Sequence, residues 1–228
     1  MEWLGRARVA FTHAASPLSL RKKDGSLTDL LKVCEASTPP CQLNPFLFNG
    51  HLQTIWTAAT KHGPPIHYRR VVMEADHGIY KGSFAVDFAV EPHQDQDATL
   101  PPRTAYFKEG DFAKMGSDDT RPMLLVMHGL SGGSHEIYLR HCIAPLVMDG
   151  TDWEVCVVNA RGCANSQITS GVLFNARATW DFRQVVNWAR RTFPNRPLFG
   201  VGFSLGANIL TNVRSMLTME PVSSLTRP

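Results

Sequence analysis

A short segment centred on Ser204, Gly-Phe-Ser-Leu-Gly, follows the G-x-S-x-G pattern of a nucleophilic serine. An apolar run leads into it and a helical pattern over Leu205–Leu217 follows, so the serine is predicted on a strand-to-helix turn. Gly202 and Gly206 are expected there because a side chain at either position would collide with the neighbouring strand or helix. The helix N-terminus favours developing negative charge. We therefore predict a nucleophile for acyl transfer; the alternative is a glycine-rich turn that happens to contain serine.

A second segment, HGLSGG at residues 128–133, follows the apolar run MLLVM directly. Acyl transfer through a serine needs two backbone N–H groups aimed at the oxyanion of the tetrahedral intermediate. We predict that Leu205, the residue after the nucleophile, supplies one of them and Leu130 in this loop supplies the other. His128 and Gly129 are expected to support the loop. For His128, bracing by hydrogen bonds is favoured over a role as general base.

Two other patterns indicate neither a metal nor a cofactor. His135 and His141 are six residues apart, which puts them on roughly opposite faces of a helix and argues against zinc binding. Gly129, Gly132 and Gly133 do not form a dinucleotide-binding fingerprint, and no phosphate-loop sequence is present. We predict no metal site and no cofactor.

Asn159 and Arg161 follow the apolar run VCVV, at the carboxyl end of a predicted strand. This edge of a parallel sheet lines the ligand crevice in open α/β folds. The two side chains could shape a pocket, or Arg161 could tie loops together through carbonyl and carboxylate groups. The second interpretation is favoured.

The hydrophobic pattern predicts the elements that must position these residues. Strands are predicted at His67–Met73, Ser83–Val90, Met123–Met127, Val155–Val158 and Leu198–Val201, and helices at Ile137–Met148, 176–193 and Leu205–Leu217. The last three strands are continuous apolar runs, typical of parallel strands buried on both faces. Strands alternating with helices predict an α/β fold with a mostly parallel sheet flanked by helices. Residues 91–121 are expected to form an exposed loop.

Composition excludes several classes of protein. The 228 residues are 43% hydrophobic and 19% charged with a formal charge of +3, which is too weakly basic to indicate nucleic-acid binding. Five cysteines form no C-x-x-C pair, so a reducing compartment and a cytoplasmic location are expected. Cys142 and Cys156 lie in apolar runs and are predicted in the core.

The N-terminal residues lack the apolar run of a secretory signal, and no stretch is long enough to span a membrane. Residues 1–42 are predicted to be an N-terminal extension and linker, and 43–228 the globular part. Apolar and basic side chains near the N-terminus indicate either that this segment binds a lipid surface or that it packs on the domain. These side chains are Trp3, Leu4, Arg6, Arg8, Val9 and Phe11.

Together, five segments resemble the α/β-hydrolase-4 family in order and spacing over roughly residues 43–214. They read NPFLFNGHLQTIW, HGLSGGSHEIYLR, VVNARGCANS, TWDFRQVV and GVGFSLGANIL. Within that family the sequence is similar to medium-chain fatty acid ethyl ester synthase/esterases and monoacylglycerol hydrolases. The resemblance implies a serine hydrolase or acyltransferase with Ser204 as nucleophile and Leu130 and Leu205 as oxyanion donors. It also implies an acyl ester or acyl-CoA and a short alcohol as substrates, and association with lipid surfaces or lipid droplets.

One departure from the family bears on mechanism. The family's catalytic acid and histidine follow the serine, whereas all nine histidines here precede Ser204. Glu220 is the one later carboxylate, and helix rise would put it about 20 Å away. We therefore expect no triad acid or histidine in this chain, which would be C-terminally truncated, and an incomplete α/β-hydrolase fold lacking its last strands. Such a chain is expected to be inactive; the alternative is a non-catalytic fragment that binds a partner or lipid.

Overall fold

The computed structural model describes residues 6–7, 9–42, 44–60, 62–76, 78–148 and 150–219. The chain divides into two compact units, Met1–Lys61 and His62–Pro228. The sequence boundary between the units follows Lys61. This boundary lies further along the chain than residues 42 and 43, because the helix Gly50–Ala59 belongs to the first unit.

The described residues of the first unit form short strands and two helices. They are β1 (Arg6–Ala7), β2 (Ser19–Arg21), β3 (Leu27–Asp29), α1 (Leu30–Ser37), β4 (Cys41–Gln42) and α2 (Gly50–Ala59). Both helices begin at a side-chain cap: Asp29 accepts a hydrogen bond from the N–H of Lys32, and Asn49 from that of Leu52. Val9 is exposed, whereas Trp3, Leu4 and Arg8 lie outside the described residues.

The second unit is built on a six-stranded sheet with helices. Its elements are β5 (His67–Glu74), β6 (Ser83–Val90), β7 (Thr104–Tyr106), β8 (Met123–Met127), α3 (Ile137–Val147), β9 (Glu154–Val158), α4 (Trp180–Thr192), β10 (Leu198–Gly202) and α5 (Leu205–Met219). The strand order is β10-β8-β9-β6-β5-β7. Strands β10, β8 and β9 pair in parallel, as do β5 and β7, while β6 runs antiparallel to both its neighbours. The predicted α/β fold with a mostly parallel sheet is confirmed.

The core of this unit follows the predicted pattern in its central strands and in α4. All five residues of β8 are buried, and only the first residue of β9 is partly exposed. The predicted apolar face of α4 is buried in full; it consists of Phe182, Val185, Val186, Ala189 and Phe193. The apolar runs of β8 and β9 thus mark strands that are covered on both faces.

Three expectations fail where the environment of a residue depends on distant parts of the chain. Residues 91–121 are not an exposed loop throughout, since β7 within them pairs with β5 and Leu100 is buried. Cys142 is exposed because it lies outside the buried face of α3 that Leu139 and Ile143 define; Cys156 is buried as predicted. The apolar run of β10 predicts burial on both faces, but within the described part of the chain none of its residues is fully buried and Phe199 is half exposed.

A buried ion pair joins β5 and β6 beneath the loops that follow β8 and β9. The Arg70 Nε and Nη2 atoms donate to the two Asp87 carboxylate oxygens at 2.6 and 2.7 Å, and the side chains are 1% and 0% exposed. The Ser134 hydroxyl and the Asn159 amide also donate to Asp87 Oδ2, at 2.5 and 2.8 Å. Arg70 Nη1 donates to the Ala164 carbonyl at 2.7 Å. Four separate segments are therefore held by one carboxylate and its guanidinium partner.

Replacing Asp87 with Asn should lower the free energy of unfolding by about 3 to 5 kcal/mol, because Arg70 would remain as an unpaired buried charge. Urea denaturation of the 228-residue chain measures this change. Asp111→Asn, which removes an exposed partner of Lys114, is the control and should cost less than about 1 kcal/mol. Equal losses in the two variants would contradict a central role for the buried pair.

Candidate active site

Ser204 lies on the turn between β10 and α5, and its residue is exposed to solvent. Its φ is +51°, a left-handed conformation that is uncommon for a residue with a Cβ. The surrounding backbone maintains it: the Gly206 N–H donates to the Phe203 carbonyl at 2.8 Å, and the Ser204 carbonyl accepts from the Ala207 N–H at 3.0 Å. A strained serine that projects from a well-anchored turn is typical of a functional site.

The two glycines of the turn are required by close backbone packing. A Cβ at Gly202 would lie 2.5 Å from the Gly206 carbonyl oxygen. A Cβ at Gly206 would lie 2.4 Å from the carbonyl oxygens of both Met127 and His128. The steric reason inferred from the sequence thus holds at both positions, and the second contact shows that the turn packs directly on the end of β8.

The loop after β8 lies against this turn. The Phe203 N–H donates to the Met127 carbonyl at 3.0 Å, and a Cβ built on Gly129 would lie 3.6 Å from Ser204 Cβ. Gly133 has no room for a side chain, since its Cβ would come within 2.7 Å of Ala164 Cβ. Gly133 therefore lets the loop approach the loop after β9, while Gly129 lies within ordinary contact distance of the serine turn.

His128 is buried at the start of this loop and uses both ring nitrogens. Its Nε2 accepts a hydrogen bond from the Ala160 N–H at 3.0 Å, which places the ring proton on Nδ1. The Nδ1–H then donates to the Gly129 carbonyl at 2.6 Å. Burial lowers the pKa of His128, which favours the neutral ring that this arrangement needs. The geometry is that of a bracing residue.

This bracing determines where the Leu130 N–H points. The Gly129 carbonyl and the Leu130 N–H belong to one planar trans peptide and point in opposite directions. The hydrogen bond from His128 therefore turns the Leu130 N–H away from the imidazole ring. Among the described residues, neither this N–H nor that of Leu205 donates a hydrogen bond to the protein. The oxyanion role of Leu130 and Leu205 stays a prediction with which these unbonded N–H groups are compatible.

No partner for the serine hydroxyl occurs in the described part of the chain, where no side chain forms a hydrogen bond with Ser204 Oγ. His128 already makes two hydrogen bonds elsewhere. Glu220 lies outside the described residues. The described geometry thus brings an exposed serine close to a loop with an unbonded N–H group, and it assigns no base.

Arg161 ties loops together, and the interpretation favoured from the sequence is confirmed. Its guanidinium donates to both carboxylate oxygens of Asp181 at 2.8 and 2.7 Å and to the Tyr80 carbonyl at 2.7 Å. Asn159 accepts from the Ser134 N–H at 3.0 Å. Both side chains are buried, so their polar groups are used within the protein.

An open cavity of about 380 Å³ lies between the loop after β8 and residues 161–174. Ser131 and Gly132 contribute one side of it, and Ile168, Leu173 and Phe174 contribute apolar surface. The cavity therefore begins next to Leu130, beside the proposed oxyanion donor.

Sequence reasoning missed two residues that support this site. Tyr138, on α3, accepts a hydrogen bond from the Gly129 N–H at 3.0 Å. Asp87 anchors Ser134 and Asn159 as described above. A charged residue within the apolar strand SFAVDFAV was an available signal, since a buried charge requires partners. Nothing in the local pattern distinguishes Tyr138 from an ordinary helix residue.

Comparisons with known proteins indicate the family of this chain. Residues 122–226 match a family model described as the alpha/beta hydrolase fold. A monoacylglycerol lipase of Saccharomyces cerevisiae is 40% identical over 185 residues, covering 73% of this chain and 40% of the lipase. A medium-chain fatty acid ethyl ester synthase/esterase 2 of the same yeast is 33% identical, covering 75% of this chain and 43% of that protein.

A crystal structure of an α/β serine hydrolase without a lid from Xanthomonas campestris aligns with a TM-score of 0.42 at 20% identity, over 69% of this chain and 60% of that one. The chain belongs to the α/β-hydrolase superfamily. It spans about two fifths of the length of the two yeast relatives.

Replacing Gly206 with Ala should lower the free energy of unfolding by about 3 kcal/mol, because the new methyl group meets backbone oxygens that cannot move aside. Chemical denaturation measures the loss. Gly171→Ala is the matched control, since a Cβ there meets nothing within 4 Å, and it should change stability by less than about 0.5 kcal/mol. A Gly206 variant as stable as this control would rule out the tight packing of the turn on β8.

Proposed function

We propose that the protein is a serine-dependent carboxylic ester hydrolase in which Ser204 forms an acyl-serine intermediate. The observation that carries this proposal is the exposed Ser204 at φ +51°, packed beside a glycine loop with free N–H groups. The names of the two yeast relatives support medium-chain acyl esters and monoacylglycerols as substrates. Acyl transfer from an ester or acyl-CoA to a short alcohol is the second outcome that the same intermediate allows.

The chemistry has two steps. Ser204 Oγ bonds to the substrate carbonyl carbon while its proton passes to a general base, and the carbonyl oxygen becomes an oxyanion held by the N–H groups of Leu130 and Leu205. Collapse of this intermediate expels the alcohol, which takes up a proton, and leaves the acyl-serine. Water or a second alcohol then attacks the acyl carbon and releases Ser204. The described residues provide the nucleophile and the donors, and the base is not assigned.

The cavity beside Leu130 fits the acyl chain of such a substrate. The side chains of Ile168, Leu173 and Phe174 offer apolar surface, and Ser131 and Gly132 lead from the cavity toward the oxyanion donors. Burial of methylene groups against these side chains would supply binding free energy in proportion to chain length.

Incubation of residues 1–228 with a fluorophosphonate probe should label Ser204 slowly, since none of the described residues forms a hydrogen bond with its hydroxyl as a base. Loss of a triad lowers kcat by about 10⁶-fold in a serine protease, so labelling should be several orders of magnitude slower than that of a complete serine esterase. Mass spectrometry of the labelled peptide measures both site and rate.

Ser204→Ala should abolish this labelling, whereas Ser26→Ala, which changes an exposed turn in the first unit, should leave it unchanged. Labelling that persists in the Ser204 variant, or that never occurs at Ser204 in the parent chain, would reject the proposed nucleophile.

A second proposal, favoured by the surface of the first unit, is a cytoplasmic protein that binds lipid surfaces peripherally. Phe46 and Phe48 are 85% and 73% exposed, and Ile55 and Trp56 on α2 are exposed beside each other. Residues 44–60 contain no Asp, Glu, Lys or Arg. Residues 1–61 hold seven Lys or Arg and four Asp or Glu, so this unit carries the whole formal charge of +3. Apolar side chains on a basic unit suit an anionic membrane surface.

No helix in the described ranges is long and apolar enough to cross a membrane. Association with lipid would therefore involve exposed side chains such as Phe46 and Phe48. This second function is compatible with the first, and it would also suit a fragment that is not catalytic.

The double variant Phe46→Ser/Phe48→Ser should reduce binding to vesicles of phosphatidylcholine with phosphatidylserine by at least tenfold, because each buried Phe contributes about 1.5 to 3 kcal/mol. Co-sedimentation at several vesicle concentrations measures the affinity. Ile79→Ser, which removes an exposed apolar residue of the second unit, is the control and should bind like the parent chain. Equal affinity of all three proteins would exclude these phenylalanines as the lipid contact.

A further inference from the structure

We infer that Tyr138 is a positioning residue that holds the two oxyanion donors in register, an inference that rests on the proposed function. Its hydroxyl accepts a hydrogen bond from the Gly129 N–H at 3.0 Å. Its ring packs edge-on against Phe203, with centroids 4.9 Å apart and an interplanar angle of 62°. Gly129 precedes Leu130, and Phe203 precedes the nucleophile. One side chain thus contacts both segments that supply the oxyanion donors.

The hydrogen bond from Gly129 completes the restraint on a peptide that would otherwise turn easily. Glycine has the widest backbone freedom of any residue, so a single tether on Gly129 would leave its φ and ψ free. The structure provides two tethers: His128 holds the carbonyl and Tyr138 holds the N–H. Since the Leu130 N–H shares a peptide plane with the Gly129 carbonyl, fixing Gly129 at both ends fixes the direction of this donor.

The glycines of the loop leave room for the Tyr138 hydroxyl. A Cβ at Gly132 would lie 3.1 Å from Tyr138 Oη, and one at Gly129 would lie 3.5 Å from it. The absence of a side chain at Gly132 therefore leaves room for the phenol to reach the Gly129 N–H, whereas a Cβ at Gly129 would make an ordinary contact with it. The HGLSGG segment and Tyr138 fit each other as parts of one arrangement.

The ring of Tyr138 contacts the segment that contains the other proposed donor, the Leu205 N–H. Phe203 is the residue before Ser204, and its N–H is bonded to the Met127 carbonyl on β8. Edge-on contact between the rings holds the start of α3 against this part of the turn. Tyr138 is 41% exposed, and the partial burial of its phenol raises the pKa of that group, so the hydroxyl stays protonated at neutral pH. The residue makes no bond to the reacting atoms and acts through Gly129 and Phe203.

Tyr138→Phe tests the hydroxyl alone, because it keeps the ring on Phe203 and removes the acceptor of the Gly129 N–H. We expect amide hydrogen exchange at Gly129 to become at least tenfold faster. Labelling of Ser204 by a fluorophosphonate should lose about tenfold in its maximal rate, with the probe's half-saturating concentration unchanged, since only oxyanion stabilisation is weakened. Tyr138→Leu, which also removes the contact with Phe203, should be slower still. Tyr106→Phe removes an exposed tyrosine hydroxyl on β7 and is the matched control.

Unchanged exchange at Gly129 in Tyr138→Phe would overturn the inference, and so would faster exchange with an unchanged maximal labelling rate. A parent chain that never labels at Ser204 would instead overturn the proposed function and, with it, the positioning role. Melting temperatures equal to that of the parent chain in Tyr138→Phe and Tyr106→Phe would show that general destabilisation is not the cause of slower labelling, and would support the inference.

Discussion

The rest of the site depends on the buried pair of Arg70 and Asp87. A charge removed from water is costly unless it is paired and hydrogen-bonded, so these two side chains demand partners. Asp87 finds them in Arg70, Ser134 and Asn159, and Arg70 finds a further one in the Ala164 carbonyl. Ser134 closes the loop that bears Leu130, and Asn159 and Ala164 belong to the loop after β9. The hydrogen bonds to one buried carboxylate therefore fix the position of both loops where they leave the sheet.

Above this anchor, the site is defined by short backbone distances more than by side chains. Gly206 packs on the carbonyl oxygens at the end of β8, and Phe203 donates a hydrogen bond to the same strand. The serine turn thus takes its position from the parallel pairing of β10 with β8. The left-handed φ of Ser204 is tolerated because this packing leaves the chain no alternative path. The register in which β10 pairs with β8 therefore determines the position of the Ser204 hydroxyl.

Much of this arrangement could be predicted from the sequence, and the failures share a physical cause. The burial of β8, β9 and the apolar face of α4 follows from local apolar periodicity. The need for glycine at positions 202 and 206 follows from the steric demands of the tight turn at Ser204. Periodicity cannot show what covers a strand, so the apolar run of β10 predicts burial on both faces although Phe199 is half exposed in the described part of the chain. Strand β7 is only three residues long, too short for a pattern. The network around Asp87 joins residues far apart in the chain, and a local pattern carries no record of such partners.

The residues of the site also differ in whether their roles depend on neighbours in sequence or on distant parts of the chain. The roles proposed for Ser204, Leu130 and Leu205 depend on neighbours in sequence, so a motif can indicate them. The contact of Tyr138 with Gly129 depends on the angle at which α3 leaves its loop, which no motif of five or six residues encodes.

The imidazole of His128 makes the two loops interdependent. Its Nε2 accepts from the loop after β9, and its Nδ1–H donates to the loop after β8. Uptake of a second proton would turn Nε2 into a donor facing the Ala160 N–H, so one acceptor would be lost and two like dipoles would oppose each other. The two loops therefore respond differently to the charge of this ring: protonation would remove the acceptor of the Ala160 N–H in the loop after β9, whereas Nδ1–H would still donate to the Gly129 carbonyl in the loop after β8.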